Sequence, residues 1–283
     1  AASYRDRRGD SVSGTELLML GTGNAMAVRR YNTCFAVRTA EGQWFLTDAG
    51  GGNGIFRRLE DGGVAYADLH YMFVTHGHTD HIMGVLWVMR KIASLMSSGA
   101  YDGQFHIYCH DVVKQMLLSM AEMMFKKKDF ACIGKDICIH EVADGDTVTF
   151  LGLSLTAFDI CSTKAKQFGY LLTFPDGMRL TCLGDEPYNE RCRQYAEGTD
   201  WLLAEAFCLY EHREAFWPYE KNHSTVKDAA ETAAALGAAR LVLYHTEEKT
   251  GSSRKRLYTE EAKAYYGGSV YVPEDMERIA LSR

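Results

Sequence analysis

Apolar residues along this chain gather in short runs of strand length bounded by Gly, Asp or Asn, with a few longer stretches at helical spacing between them. In the first half the runs Glu16 to Gly21, Cys34 to Val37, Trp44 to Asp48, Tyr71 to Val74 and Phe105 to Cys109 predict strands. Gly50-Gly51-Gly52 predicts a turn before a short helix through Leu59, and the stretches from about Ile82 to Met96 and from Val112 to Phe125 predict helices. Met116, Met120, Met123 and Met124 lie on the second of these and are expected to fill core. In the second half Ile137 to Val142, Thr147 to Phe150, Ser154 to Phe158, Tyr170 to Phe174 and Arg179 to Leu183 read as strands. Trp201 to Ala204 and Leu241 to Tyr244 read as short buried strands. Between them, Val226 to Leu236 reads as an Ala-rich helix capped by Ser224 or Thr225. Strands in both halves with helices between them imply an α/β fold of two mixed sheets packed face to face, helices on the outer faces. Four prolines, no low-complexity linker and no internal repeat favour one continuous domain over residues 1–283.

Composition narrows the class. A hydrophobic content of 47% in 283 residues supplies a large core, and a net charge of -6 argues against a broad face for a polyanion. Lys126-Lys127-Lys128 forms one local basic cluster and reads as a solvated helix end. The eight cysteines are scattered without a CxxC pair and read as reduced core thiols. No stretch approaches the roughly 18 apolar residues of a membrane span, and the polar start Ala1 to Thr15 lacks an apolar signal core, so a cytoplasmic location is expected.

The chemistry concentrates in Thr75-His76-Gly77-His78-Thr79-Asp80-His81, which follows the strand Tyr71 to Val74. In an extended segment His76 and His78 point the same way, while Asp80 and His81 fall where the chain turns into the helix. One loop can therefore serve two adjacent cations. Imidazole and carboxylate suit zinc, with manganese or iron as alternatives. Taken singly, each of these residues is better explained as a surface turn residue; four at this spacing are not. Asp185 and His245 stand at the ends of later apolar strands, where a carboxylate can bridge two cations and an imidazole can complete the coordination of the second. Asp48 reads equally as a turn carboxylate or as the acceptor that fixes a ligand imidazole. Glu205 and His223 form a pair suited to general acid work on a leaving oxygen.

Several segments in order, Leu20-Gly21-Thr22-Gly23-Asn24, Arg30-Tyr31-Asn32-Thr33, Thr47-Asp48-Ala49-Gly50, the His76 to His81 run, Gly169-Tyr170, Gly184-Asp185, Glu205-Ala206, His223-Ser224-Thr225 and Tyr244-His245-Thr246, carry a resemblance. Together they resemble the metallo-β-lactamase superfamily, and within it the ribonuclease Z-like phosphodiesterase branch, over essentially the whole chain. The resemblance implies an αββα sandwich and two divalent ions. His76 and His78 would hold one ion, Asp80, His81 and His245 the other, and Asp185 would bridge them. It further implies that a metal-bound hydroxide attacks phosphorus, that His223 oriented by Glu205 protonates the departing alkoxide, and that Asp80 helps position the nucleophile.

Two departures bear on function. Where the branch places a third histidine for the first ion, this chain has Asp159-Ile160-Cys161-Ser162: either the Cys161 thiolate substitutes, or that site is weakened or empty. The branch also carries a basic, glycine-rich arm that grips transfer RNA, and residues 162–184 leave no room for one. The resulting expectation is hydrolysis of a small phosphodiester, such as a cyclic nucleotide, or a related ester. A transfer RNA 3′-processing endonuclease is the runner-up, and a non-catalytic module binding metal or ligand is a third reading. Nucleic acid is thus the weaker partner expectation. Phe207, Tyr210, Phe216, Trp217 and Tyr219 are candidates for a cleft or a homodimer contact.

Overall fold

The computed structural model describes residues 14–283; most of the Ala1 to Thr15 stretch and the start of the expected domain lie outside them. The strands are, in chain order, β1 (Glu16–Gly21), β2 (Cys34–Arg38), β3 (Trp44–Thr47), β4 (Leu69–Val74), β5 (Phe105–Cys109), β6 (Ile137–Glu141), β7 (Thr147–Phe150), β8 (Leu153–Asp159), β9 (Phe168–Thr173), β10 (Arg179–Cys182), β11 (Trp201–Glu205), β12 (Arg240–Tyr244), β13 (Ser269–Tyr271) and β14 (Arg278–Ala280). They form two seven-stranded sheets, ordered β14-β1-β2-β3-β4-β5-β6 and β13-β12-β11-β10-β9-β8-β7. Within each sheet one half pairs antiparallel and the other parallel, switching at β3 and at β10. The helices are α1 (Gly54–Asp61), α2 (Thr79–Ser97), α3 (Asp111–Met124), the single turns α4 (Lys127–Phe130), α5 (Arg193–Ala196) and α6 (Arg213–Phe216), then α7 (Val226–Ala235) and α8 (Arg254–Tyr265).

Period-two alternation sorts each strand's side chains onto two faces. Leu17 and Met19 of β1 join Phe35, Phe45, Phe73, Leu155, Tyr170, Trp201 and Val242 in a core between the sheets. Leu18 and Leu20 of the same strand pack outward against Ile55, Leu59, Val85, Met89, Val113 and Leu117 of α1 to α3. On the far side Leu202, Leu241 and Leu243 meet Val226, Ala230, Ala233 and Tyr258 of α7 and α8. Because both faces are buried, these strands read as continuous apolar runs, and the layering is the expected αββα sandwich. All eight cysteines are free thiols, and no described helix is long and apolar enough to cross a membrane. Of the four methionines expected in core, Met116 and Met120 pack against the first cluster, but Met123 and Met124, the last two residues of α3, are exposed.

The donor-bearing helix α2 is held very close to the β3 loop. A Cβ on Gly84 would lie 1.9 Å from the Ala49 carbonyl oxygen, and the Gly84 N–H donates to the Gly50 carbonyl. Both neighbours are backbone and cannot swing aside. Gly84→Ala is therefore expected to cost about 1–3 kcal/mol or more, read as a lowered urea midpoint; an unchanged midpoint would contradict this close approach.

Candidate metal centre

Strand β4 ends at Val74, and the loop through His78 delivers the chain into α2, whose first turn contains Asp80 and His81. The helix starts three residues earlier than the apolar spacing suggests, since His78 takes the N-cap position with extended backbone and its carbonyl receives the His81 and Ile82 N–H groups. His76 and His78 converge, Nε2 to Nδ1 at 2.9 Å. The centre forms at one end of the sandwich, where β3, β4, β10, β11 and β12 all finish.

Asp48 follows β3 and His245 follows β12, and both are non-glycine residues at positive φ, +53° and +57°. Such backbone is costly and turns each side chain out of its strand into the shared space. Asp48 accepts from the Thr75 N–H (2.8 Å) and Thr75 Oγ1 (2.7 Å) through its two oxygens and contacts His81 Nδ1 at 2.8 Å. That partner fixes the His81 tautomer and leaves Nε2 facing inward. Thr33 Oγ1, 3.1 Å from His245 Nδ1, does the same for the other ring. Asp185 is set by a glycine turn: Tyr244 Oη donates to the Gly184 carbonyl at 2.5 Å, with Gly184 at φ +83°.

Asp185 Oδ2 then sits 3.2 Å from His81 Nε2 and 3.6 Å from both His245 Nε2 and His76 Nε2. The donors fall into overlapping groups, of which two share Asp185, Asp80–His81–Asp185–His245 and His76–His78–Asp185, and a third is Asp48–His76–His81. Two buried atoms at the centre, His81 Nε2 and Asp80 Oδ2, have no hydrogen-bond partner. Buried polar atoms left without partners around one point are costly unless a cation sits among them, displacing any proton on His81 Nε2, so the residues present fit divalent ions.

Burial would raise the Asp80 and Asp185 carboxyls, but the surrounding imidazoles outweigh it and hold both below the usual carboxylate range. Burial lowers His76 to about 3 and lowers His245 as well, keeping their rings neutral and able to coordinate. For His81 burial is overcome by Asp185, Asp48 and Asp80, and its value is raised.

Glu205 and His223 stand beside this group. His223 Nδ1 lies 3.0 Å from the Asp185 carbonyl oxygen and 3.7 Å from Glu205 Oε2, and its ring stacks on Phe207 at 5.0 Å. The expected helix cap is Thr225, in a reciprocal box with Asp228, which anchors the chain just after His223. Glu205 Oε1 accepts from the Ser224 N–H, and burial pushes its carboxyl up.

Cys161 is not brought to the donor groups. Its Sγ lies 3.7 Å from the Asp159 carbonyl oxygen, on a backbone at φ +61° that turns it away. A residue the sequence reading did not single out, Gln167, instead braces two of the donors from behind. Its Nε2 lies 2.8 Å from His76 Nδ1 and 2.5 Å from Asp185 Oδ1, while Oε1 is buried without a partner. A neutral amide between Lys166 and Phe168 carries no ligand signature, and its nearness to Gly169-Tyr170 was the only available signal.

Comparison with known proteins agrees with this geometry. Ribonuclease Z of Thermobifida fusca (strain YX) is 25% identical over 310 aligned positions, covering 95% of this chain and 96% of its own length. Among solved structures, the short form of human tRNase Z superposes with a TM-score of 0.74 at 20% identity, covering 95% of this chain and 100% of its own. A diphosphatase from the PhnP family superposes with a TM-score of 0.71 at 17% identity, covering 94% and 97%. A family model described as the beta-lactamase superfamily domain matches residues 43–246, a span that takes in His76, His78, Asp80, His81, Asp185, Glu205, His223 and His245. With the sandwich, its donor groups and this match in agreement, the chain belongs to the beta-lactamase superfamily.

Proposed function

We propose that this chain is a metal-dependent phosphodiesterase that hydrolyses a small phosphodiester, such as a cyclic nucleotide, or a related ester. The observation that carries the reading is the central position of Asp185, whose Oδ2 is shared between the two donor groups. His76 and His78 would hold one ion, Asp80, His81 and His245 the other, with Asp185 between them. Zinc suits the imidazole and carboxylate donors best, manganese or iron next. Such ions supply Lewis acidity toward a phosphoryl oxygen and lower the pKa of a coordinated water. Asp80 remains an ionised acceptor that can orient a water. With Nδ1–H donated to the Asp185 carbonyl, His223 can take up or release a proton only at Nε2, the nitrogen available to a leaving oxygen.

The names of relatives favour a second reading, a ribonuclease acting on transfer RNA precursors. Against it, residues 160–167 link β8 to β9 and residues 174–178 link β9 to β10, short connections with no length for a gripping arm, and the chain carries net negative charge. A third reading, a non-catalytic module, would hold one ion at the His81 side and turn nothing over. Purified protein loaded with zinc or manganese is expected to hold two ions within the Asp185 centre, to cleave bis(p-nitrophenyl) phosphate and a cyclic nucleotide, and to leave a transfer RNA precursor intact on a gel. Cleavage of the precursor at its 3′ side would favour the ribonuclease, and inactivity with every divalent ion the module.

A further inference from the structure

A second group of metal-type donors lies on the first sheet, apart from the centre described above. Parallel pairing of β5 with β6 sets His106 opposite Cys138 and Tyr108 opposite His140. Cys138 and His140, two residues apart on the strand, therefore share the face on which His106 stands. His106 Nδ1 lies 2.9 Å from His140 Nε2, and the donor atoms of His106, Cys138 and His140 all lie within 4.8 Å of one another. Ligands of one tetrahedral zinc stand roughly 3.3–3.8 Å apart, given its bond lengths to nitrogen and sulfur, so small side-chain movements suffice. The cluster is half-buried, and it is built: Tyr71 stacks on His106 at 5.2 Å and Tyr108 stacks on His140 at 5.0 Å, fixing both rings.

We propose that His106, Cys138 and His140 form a separate site for one zinc-like divalent cation clasping β5 to the edge strand β6. Burial and neighbouring positive groups lower both imidazoles, so each offers a lone pair near neutral pH. Cys138 enters as a thiol raised by burial and by Asp136; on binding, its S–H bond breaks, the proton goes to solvent and the sulfur pair forms the bond to the metal. A soft sulfur with two imidazoles selects zinc over magnesium or calcium. β6 is the last strand of its sheet, so the clasp would stiffen an edge that is otherwise open to unwanted pairing.

Cobalt(II) distinguishes the two centres, because thiolate ligation gives a near-ultraviolet sulfur-to-cobalt charge-transfer band and a histidine–carboxylate centre gives none. The full chain titrated with cobalt is expected to show that band. Cys138→Ser should lose the band and bind one cobalt equivalent fewer, and His140→Asn should weaken cobalt affinity at least tenfold. Cys161→Ser should keep the band. No band in the unmodified protein at saturating cobalt overturns the proposal; so does a band that survives in Cys138→Ser or disappears in Cys161→Ser.

Discussion

Replacing His81 by alanine is expected to lower hydrolysis of bis(p-nitrophenyl) phosphate by on the order of 10³-fold or more. His81 is the one ring held by Asp48 on one nitrogen while its other nitrogen faces both Asp80 and Asp185. Its removal does more than subtract one donor. Asp48, Asp80 and Asp185 are all buried, and without the imidazole between them their charges face one another in a poorly solvated space. Asp48→Asn is the milder companion: it keeps the shape but exchanges a carboxylate acceptor for an amide, and about 10–100-fold is expected in metal affinity or activity. The measurement is kcat/KM together with bound metal per chain, with far-ultraviolet circular dichroism to verify folding. A folded His81→Ala protein within tenfold of the original activity would remove the ring from the catalytic centre.

Why so much of the fold can be read from the chain, and why parts cannot, follows from burial. β1 to β5 and β8 to β12 lie inside a four-layer sandwich, so their apolar runs announce them. β14 has three residues, two of them exposed, and only its pairing with β1 makes it a strand. α2 begins before its apolar spacing does, because the first turn is occupied by donors that serve the centre and not the core. The compact His76 to His81 run is legible for its local density, whereas the convergence of Asp185 and His245 on it depends on how two sheets align at one end. Sequence order within the family pointed to that convergence; periodicity could not. Thr33 and His245, 212 positions apart yet in contact, have no local signal, and the same holds for Gln167, a neutral amide whose meaning lies in what it touches.

His223→Ala should separate acid catalysis from mere packing through the leaving group. Burial and the neighbouring His245 hold the His223 imidazole down to about 3, so near neutral pH the resting ring is neutral with its proton on Nδ1, donated to the Asp185 carbonyl. Nε2 then carries a lone pair, so it must first take up the proton that the attacking water gives up and then hand it to the leaving oxygen. Stacking on Phe207 and the Nδ1–H bond to the Asp185 carbonyl hold the ring in place with Nε2 free to carry the proton. An alkoxide leaving group, as in a cyclic nucleotide, cannot depart readily without that proton, whereas p-nitrophenolate can. The variant is therefore expected to lose about 10²–10⁴-fold in kcat on the cyclic nucleotide and less than about tenfold on bis(p-nitrophenyl) phosphate, with KM little changed on either. Equal losses on both substrates would mean that His223 serves only to shape the loop between β11 and α7 and that the proton comes from elsewhere.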